Sequence, residues 1–98
     1  MPAYLIANYT VLNPDGYNAY IASVAPTIIA HGGEILVAGA GAEAVEGTPG
    51  EVTVVLRFPS RDALRGWYDS PEYRAIKHLR TESTEGHLLF ADEFTMPG

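Results

Sequence analysis

Residues 58–73 constrain the fold more than any other part of the chain, because they contain the end of a strand and the beginnings of two helices. Phe58 closes an apolar run, and the proline after it cannot continue a strand. Ser60 can cap a first helix, and Ser70 followed by Pro71 can begin a second one. The stretch therefore predicts a strand followed by two short helices, and it contains no catalytic motif.

The rest of the chain supplies three further strands and one longer helix, so the predicted order is βαββαβ with the second helical unit split in two. Residues 39–50, rich in Gly, Ala and Glu, predict a long loop. The order predicts a ferredoxin-like fold, in which a four-stranded antiparallel sheet carries its helices on one face. The predicted strands cover residues 3–11, 34–38, 52–58 and 87–94, and the first helix covers residues 17–31.

Three of these strands are apolar on both faces, whereas a sheet with one solvated face alternates apolar and polar side chains. Helices on one face leave the other without a cover, so we expect a homodimer that buries this second face against another copy. The first helix contains no Lys, Arg, Asp or Glu over residues 17–31. We therefore also expect Tyr20 and Ile29 to face a neighbouring chain or the long loop.

At 98 residues and 47% hydrophobic content, the chain is expected to form a single globular domain over residues 1–98. Its formal net charge is −6, and all six Lys and Arg residues lie within residues 57–80, interleaved with acids. This pattern is typical of a solvated helix surface and makes nucleic acid an unlikely partner.

The chain contains no cysteine, which excludes disulfides, thiolate metal sites and a cysteine nucleophile. His78 and His87 have no ligand at metal-binding spacing, so we expect no metal site and no bound cofactor. The first eight residues carry no basic side chain before a short apolar run. We expect a cytoplasmic protein without a membrane segment.

Several blocks of the sequence occur in the order and spacing of a known family. They are Tyr4-Leu5-Ile6-Ala7-Asn8, Asp15-Gly16-Tyr17 with Tyr20, His31-Gly32-Gly33, Phe58-Pro59-Ser60 and Trp67-Tyr68-x-Ser70-Pro71-x-Tyr73. On these residues the chain resembles domain-of-unknown-function family 1330 over nearly its whole length. The tail departs from the pattern, because Glu93-Phe94-Thr95 stands where a Glu-Gly ending is more usual.

The resemblance implies a dimeric α/β barrel of the ferredoxin-like class. The wider superfamily includes cofactor-free monooxygenases, lactone isomerases and haem proteins, and the resemblance itself implies no assigned reaction. A lone histidine is weak evidence for haem ligation, so haem is not part of the expectation for this chain.

Asn8 and Arg57 are candidate site residues because each interrupts an apolar strand with a hydrogen-bonding group. Asn8 either orients a substrate or makes a structural hydrogen bond to a loop or a partner chain. Arg57 either binds a ligand carboxylate or pairs with a neighbouring acid such as Asp92 or Glu93.

His31 ends the first helix, where it either caps the helix carbonyls or moves a proton in catalysis. Trp67, Tyr68 and Tyr73 form an aromatic wall that either packs the core or contacts a flat organic substrate. If a pocket exists, we expect Trp67 and Asn8 to line it together.

Two functions follow from these residues. One is a cofactor-free enzyme of the monooxygenase or isomerase type that acts on an aromatic or lactone-like metabolite, with Asn8 and Arg57 orienting it and His31 or a tyrosine moving a proton. The other is a non-catalytic ligand-binding or interaction dimer. The sequence does not decide between them, and the preference for an enzyme comes from the superfamily alone.

Overall fold

The computed structural model of the chain describes residues 1–97. Its elements are β1 (Ala3–Val11), α1 (Pro14–Ala30), β2 (Glu34–Gly39), β3 (Val52–Phe58), α2 (Arg61–Tyr68), α3 (Pro71–Thr81) and β4 (Thr84–Asp92). The strands form one antiparallel sheet in the order β2-β3-β1-β4, so β1 and β3 are central. This is the ferredoxin-like arrangement, and the predicted fold class is confirmed.

Alternate side chains of β1 lie on opposite faces of the sheet because a strand has a side-chain period of two. The face beneath the helices, called here the helix face, is the core side, and β1 supplies it with Ala3, Leu5, Ala7 and Tyr9, all 3% exposed or less. The opposite face, called here the helix-free face, receives Tyr4, Ile6, Asn8 and Thr10 from the same strand. The two faces therefore have different environments, although both contain apolar side chains.

The predicted beginnings of α2 and α3 are present as hydrogen-bonded caps. The Ser60 hydroxyl accepts a hydrogen bond from the Ala63 backbone N–H at 3.0 Å, and the Ser70 hydroxyl accepts one from Tyr73 at 3.2 Å. Each bond satisfies a donor that has no partner inside its helix. Together the caps direct the aromatic side chains of α2 and α3 toward the core.

The first helix begins at Pro14, three residues before the apolar period that predicts it. The Asn13 side chain accepts a hydrogen bond from the Gly16 backbone N–H, and Pro14 occupies the first helical position, where a missing N–H has no cost. The cap, which lies outside the apolar repeat, therefore sets the helix boundary.

The expectation that Tyr20 faces outward is wrong, because Tyr20 is 6% exposed and lies on the buried stripe of α1 with Val24 and Ile28. These residues are four apart, so they share one face of the helix. Ile29 does face outward, with 67% of its surface exposed. No helix within residues 1–97 is long and apolar enough to cross a membrane.

The last strand is displaced from the prediction and runs over Thr84–Asp92. Its first residues pair with the end of β1, since Thr84 lies opposite Val11 and Gly86 opposite Tyr9. Backbone pairing requires no apolar side chains, which is why this part of β4 has no signal in the sequence. Phe94 lies beyond the strand and is 77% exposed.

The helix-free face carries an apolar row that crosses all strands of the sheet. Ile6 lies opposite both Val55 and Leu89, and Val55 lies opposite Val37. Ile6, Val37 and Leu89 are 38%, 45% and 51% exposed. A continuous apolar row that remains open to solvent is typical of a surface that another protein chain covers.

Candidate functional site

A cavity of about 390 Å³ lies between α1 and the helix face of the sheet. Most of its lining is apolar, and Leu5, Val24 and Leu56 form part of the wall. Ile21 and Ile35 also line it while remaining 49% and 43% exposed, which places the mouth between α1 and β2. Its size and lining are those of a small-molecule pocket.

Three tyrosines line this cavity, and their hydroxyls form hydrogen-bonded pairs. The hydroxyls of Tyr9 and Tyr17 share a hydrogen bond of 2.8 Å, and both residues line the cavity. The Tyr20 hydroxyl, also from the lining, lies 2.8 Å from that of Tyr73. Each hydroxyl can donate or accept, so the pairs can reorganise their protons when a ligand binds.

Arg80 adds a charged group to the same lining. Its Nε atom donates a hydrogen bond of 3.2 Å to the Tyr73 hydroxyl, which joins it to Tyr20. We call Tyr20, Tyr73 and Arg80 the tyrosine–arginine network. The network connects α1 with the two ends of α3 and is almost fully buried.

Burial changes the proton affinities of this region. Burial, reinforced by neighbouring tyrosines, raises the pKa of Tyr9 and of Tyr20 well above the usual tyrosine value. Burial opposes the charge on Arg80, but the combined effects of the neighbouring tyrosines, led by Tyr73, outweigh it and raise the Arg80 pKa. At neutral pH the cavity therefore offers un-ionised hydroxyl donors and one positive charge.

The predicted aromatic wall is present, and its members have different positions. Trp67 is 1% exposed, lines the cavity and donates a hydrogen bond of 3.0 Å from Nε1 to the Thr27 hydroxyl. Tyr73 packs on Trp67 with ring centroids 4.2 Å apart and is linked to the cavity through Tyr20. Tyr68 instead lines an adjoining cleft of about 290 Å³ and lies under the Lys77 ammonium.

Asn8 does not line the cavity with Trp67, and the expectation that they share a pocket is wrong. Asn8 belongs to the helix-free face, whereas Trp67 packs against the helix face. The Asn8 amide binds the end of the long loop. Its Oδ1 accepts a hydrogen bond from the Gly50 N–H at 2.7 Å, and its Nδ2 donates to the Gly50 and Val52 carbonyls at 3.2 Å. Of the two roles considered for Asn8, this is the structural one, a hydrogen bond to a loop.

Arg57 also lies on the helix-free face, opposite Tyr4 of β1. Its guanidinium pairs with Glu34 on β2 at 3.3 Å, and its side chain is 40% exposed. Glu93 instead accepts a hydrogen bond of 2.8 Å from the Tyr4 hydroxyl. The sheet therefore separates Arg57 from the cavity. The acid that pairs with Arg57 is Glu34 on the neighbouring edge strand β2, and it is neither Asp92 nor Glu93.

His31 is the C-cap residue of α1, outside the cavity. Its Nε2 atom lies 3.7 Å from a carboxylate oxygen of Glu72 at the start of α3. The Glu72 pKa is lowered chiefly by its own backbone N–H and in part by His31. His31 thus links the end of one helix to the beginning of another, and this position is away from the tyrosine–arginine network.

The sequence interpretation missed Arg80 and did not assign Tyr9 or Tyr17 to a site. A signal for Arg80 existed, because it lies seven residues after Tyr73 and so on the same face of α3. Tyr9 continues the alternation of Leu5 and Ala7 along β1. Within residues 1–97 no group of His, Cys, Asp and Glu side chains is arranged to hold a metal ion.

Solved structures with the same fold include proteins of known and unknown function. A protein of unknown function from Rhodopseudomonas palustris, RPA0582, has a TM-score of 0.76 and 14% identity, covering 97% of this chain and 84% of its own. SnoaB, a cofactor-independent oxygenase from Streptomyces nogalater, has a TM-score of 0.69 and 13% identity, covering 99% and 98%.

A dimeric ferredoxin-like protein of unknown function from Thermobifida fusca has a TM-score of 0.64 and 19% identity, covering 93% of this chain and 90% of its own. At these identities the likeness shows the fold alone. No curated protein sequence matches the chain. A family model matches residues 2–94, nearly the whole sequence, and this chain belongs to that family, the domain of unknown function DUF1330.

Proposed function

We propose that this protein is a cofactor-free enzyme that acts on a small aromatic or lactone-like metabolite bound between α1 and the helix face. The observation that carries the proposal is the cavity of about 390 Å³, which is apolar along its walls and has buried hydrogen-bonding groups in its lining. A pocket of this kind binds a flat ring by apolar contact and orients it by a few polar groups.

The positions of Trp67 and the tyrosine–arginine network support this proposal. Trp67 offers an aromatic surface for the ring, and the Tyr20 hydroxyl can donate a hydrogen bond to a ring oxygen. Arg80 adds a positive charge that can stabilise negative charge developing on the substrate. Asn8, Arg57 and His31 have no role in this version of the site, because they lie outside the cavity.

The chemistry of such an enzyme depends on the substrate, since a cofactor normally supplies the electrons for oxygen chemistry. In an oxygenase reaction of this type, a reduced ring carbon would give its electrons to O₂. One oxygen atom would enter the product as a carbonyl, and the other would leave as water with the two hydrogens of that carbon. An isomerase reaction would need only the transfer of a proton. The cofactor-independent oxygenase with the same fold supports this class of reaction.

The proposal includes a homodimer formed through the helix-free face. The row of Val37, Val55, Ile6 and Leu89 crosses the sheet, and polar residues such as Arg57 and Asn8 flank it. Covering this row removes apolar surface from water at ~25 cal/mol per Å². The dimeric state of the ferredoxin-like protein from Thermobifida fusca supports a dimer here, and the exposed apolar row is the reason for proposing this face.

A non-catalytic ligand-binding dimer is the second candidate, and one observation favours it. Among residues 1–97 the cavity lining includes no His, Asp or Glu, and burial raises the pKa of Tyr9 and Tyr20, which keeps them protonated and unavailable as bases at neutral pH. Under this alternative the cavity would bind a metabolite without changing it.

Incubation of purified protein with a panel of phenols, reduced polycyclic aromatics and unsaturated lactones, followed by mass spectrometry, separates the candidates. A product that has gained one oxygen atom and lost two hydrogens, or an isomer of unchanged mass that separates from the substrate by chromatography, would support the enzyme. Binding without conversion would support the second candidate, and absence of both would contradict the proposal. Tyr20→Phe should reduce turnover or binding, whereas Tyr4→Phe, which removes a hydroxyl from the helix-free face, should not.

A further inference from the structure

We infer that the ligand of the cavity is an aromatic carboxylate and that Arg80 binds its carboxylate group. This inference rests on the proposed ligand cavity and specifies the class of molecule that enters it. It follows from an observation of its own, namely a buried positive charge that is left without a negative partner in the protein.

Arg80 is 8% exposed, and arginine is rarely buried to this degree unless it is paired with an acid. Among residues 1–97 none of the ion pairs involves Arg80. The ionisable side chains around it include Tyr73, Tyr20 and Tyr68, which are phenols and not carboxylates. Hydroxyl groups thus stabilise the guanidinium, but no carboxylate among residues 1–97 pairs with it to neutralise its charge.

Main-chain groups do not remove this imbalance. Arg80 lies in the last turn of α3, where the carbonyl end of the helix attracts a cation only weakly. The carbonyl of Arg80 already accepts hydrogen bonds from the Ser83 N–H and the Thr84 hydroxyl. The helix end therefore compensates the charge only in part.

The outer nitrogens of the guanidinium are accessible from the cavities. Its Nε atom is occupied by the Tyr73 hydroxyl. No fully buried side-chain nitrogen or oxygen within residues 1–97 lacks a hydrogen-bond partner, so any outer nitrogen without a partner must be open to solvent or to a ligand. Arg80 lines both the main cavity and the adjoining cleft, which are the spaces from which a ligand can reach it.

The shape of the free end of Arg80 favours a carboxylate. A guanidinium presents its two outer nitrogens side by side, and a planar carboxylate can accept from both. The remaining wall of the cavity, with Trp67, Leu5 and Leu56, is apolar and suits a ring. A molecule that meets both requirements has an aromatic body and one carboxylate at its end.

Isothermal titration of wild-type protein with matched pairs of probes tests the inference. The pairs are 2-naphthoate with 2-naphthamide and benzoate with benzamide, which differ mainly in charge. We expect at least one acid to bind about tenfold or more tightly than its amide, because a hydrogen-bonded charge pair in a buried site is stronger than a neutral contact. The ratio of the amide Kd to the acid Kd should fall to about one in Arg80→Met and remain above one in Arg80→Lys.

Arg57→Met is the matched control, because it removes a guanidinium from the helix-free face and should leave the preference intact. Equal binding of acid and amide to the wild type would overturn the inference while leaving the cavity in place. Failure of every probe to bind would contradict both the inference and the proposed ligand cavity. If Arg80→Met does not fold, the preference of the wild type for acid over amide, and its retention in Arg80→Lys and Arg57→Met, still decide the result. Loss of that preference in Arg57→Met would place the anion at the helix-free face and overturn the inference.

Discussion

At the scale of single residues, the buried tyrosines give the protein a dependence of stability on alkaline pH. Burial raises the pKa of Tyr20 and Tyr9 in the folded chain, whereas an unfolded tyrosine loses its proton at about pH 10. Above that pH the folded chain retains protons that the unfolded chain releases. The free energy of unfolding should therefore be unaffected by these groups below about pH 10 and fall above it by up to about 1.4 kcal/mol per pH unit for each tyrosine.

Urea unfolding at a series of alkaline pH values measures this slope. Tyr20→Phe should make the decline shallower by up to about 1.4 kcal/mol per pH unit, which is the contribution of one tyrosine. A decline of equal slope in wild type and Tyr20→Phe would show that Tyr20 is not the buried group described here.

The residues of the site were only partly predictable. Trp67 was recognised because its spacing from Leu64 and Tyr68 marks a helix face. Asn8 was assigned to the wrong face, since both faces of β1 are apolar and alternation alone does not say which one meets the helices. Arg80 was missed because a basic residue in the last turn of a helix is usually solvated.

At the scale of elements, hydrogen bonds from the Asn8 side chain hold the end of the long loop, just before β3, against β1. The Gly50 N–H donates to the Asn8 side chain at 2.7 Å, while much of the loop before it is exposed. Asn8→Ala should lower the free energy of unfolding by about 1 to 3 kcal/mol, because it leaves these backbone groups without a partner. It should also accelerate exchange of the Gly50 amide.

Amide exchange followed by NMR, together with urea unfolding, checks this expectation. Thr10→Ala, a substitution on the same face and strand, is the control and should leave the Gly50 exchange rate as in the wild type. An unchanged Gly50 rate in Asn8→Ala would mean that the amide is protected by other contacts.

Element boundaries were predictable where side-chain pattern determines them. The bounds of β1 and β3 agree with the prediction because both strands consist largely of apolar and β-branched residues. The bounds of α1 and β4 differ because a cap at Asn13 and pairing of Gly86 with β1 determine them. One is a hydrogen bond from the backbone to a side chain and the other is backbone pairing, and an apolar repeat records neither.

At the scale of the whole molecule, we expect the helix-free face to be buried between two copies. Ile6→Lys should convert the dimer to a monomer at micromolar concentration, because an unpaired ammonium in an apolar interface costs several kcal/mol. Ile29→Lys, on the outer surface of α1, is the matched control and should remain dimeric. Sedimentation velocity measures the mass, and a monomeric wild type would contradict the proposed interface.

The element order was sufficient to predict the ferredoxin-like architecture, because few topologies satisfy short links and right-handed crossovers. The cavity could not be predicted in the same way. It is bounded by residues from all seven helices and strands, and its volume depends on how these distant segments pack. The sequence indicates which faces are apolar, and only the packed structure shows where space remains between them.

The central claim is that the two faces of one sheet serve different purposes, one for a ligand and the other for a second copy. Methyl-resolved NMR of wild-type protein titrated with 2-naphthoate tests it most directly. We expect the methyl signals of Leu5, Val24 and Leu56 to shift, while those of Ile6, Val55 and Leu89 respond to dilution of the protein. Shifts centred on Ile6 and Leu89, with no change at Val24 and Leu56, would contradict the account.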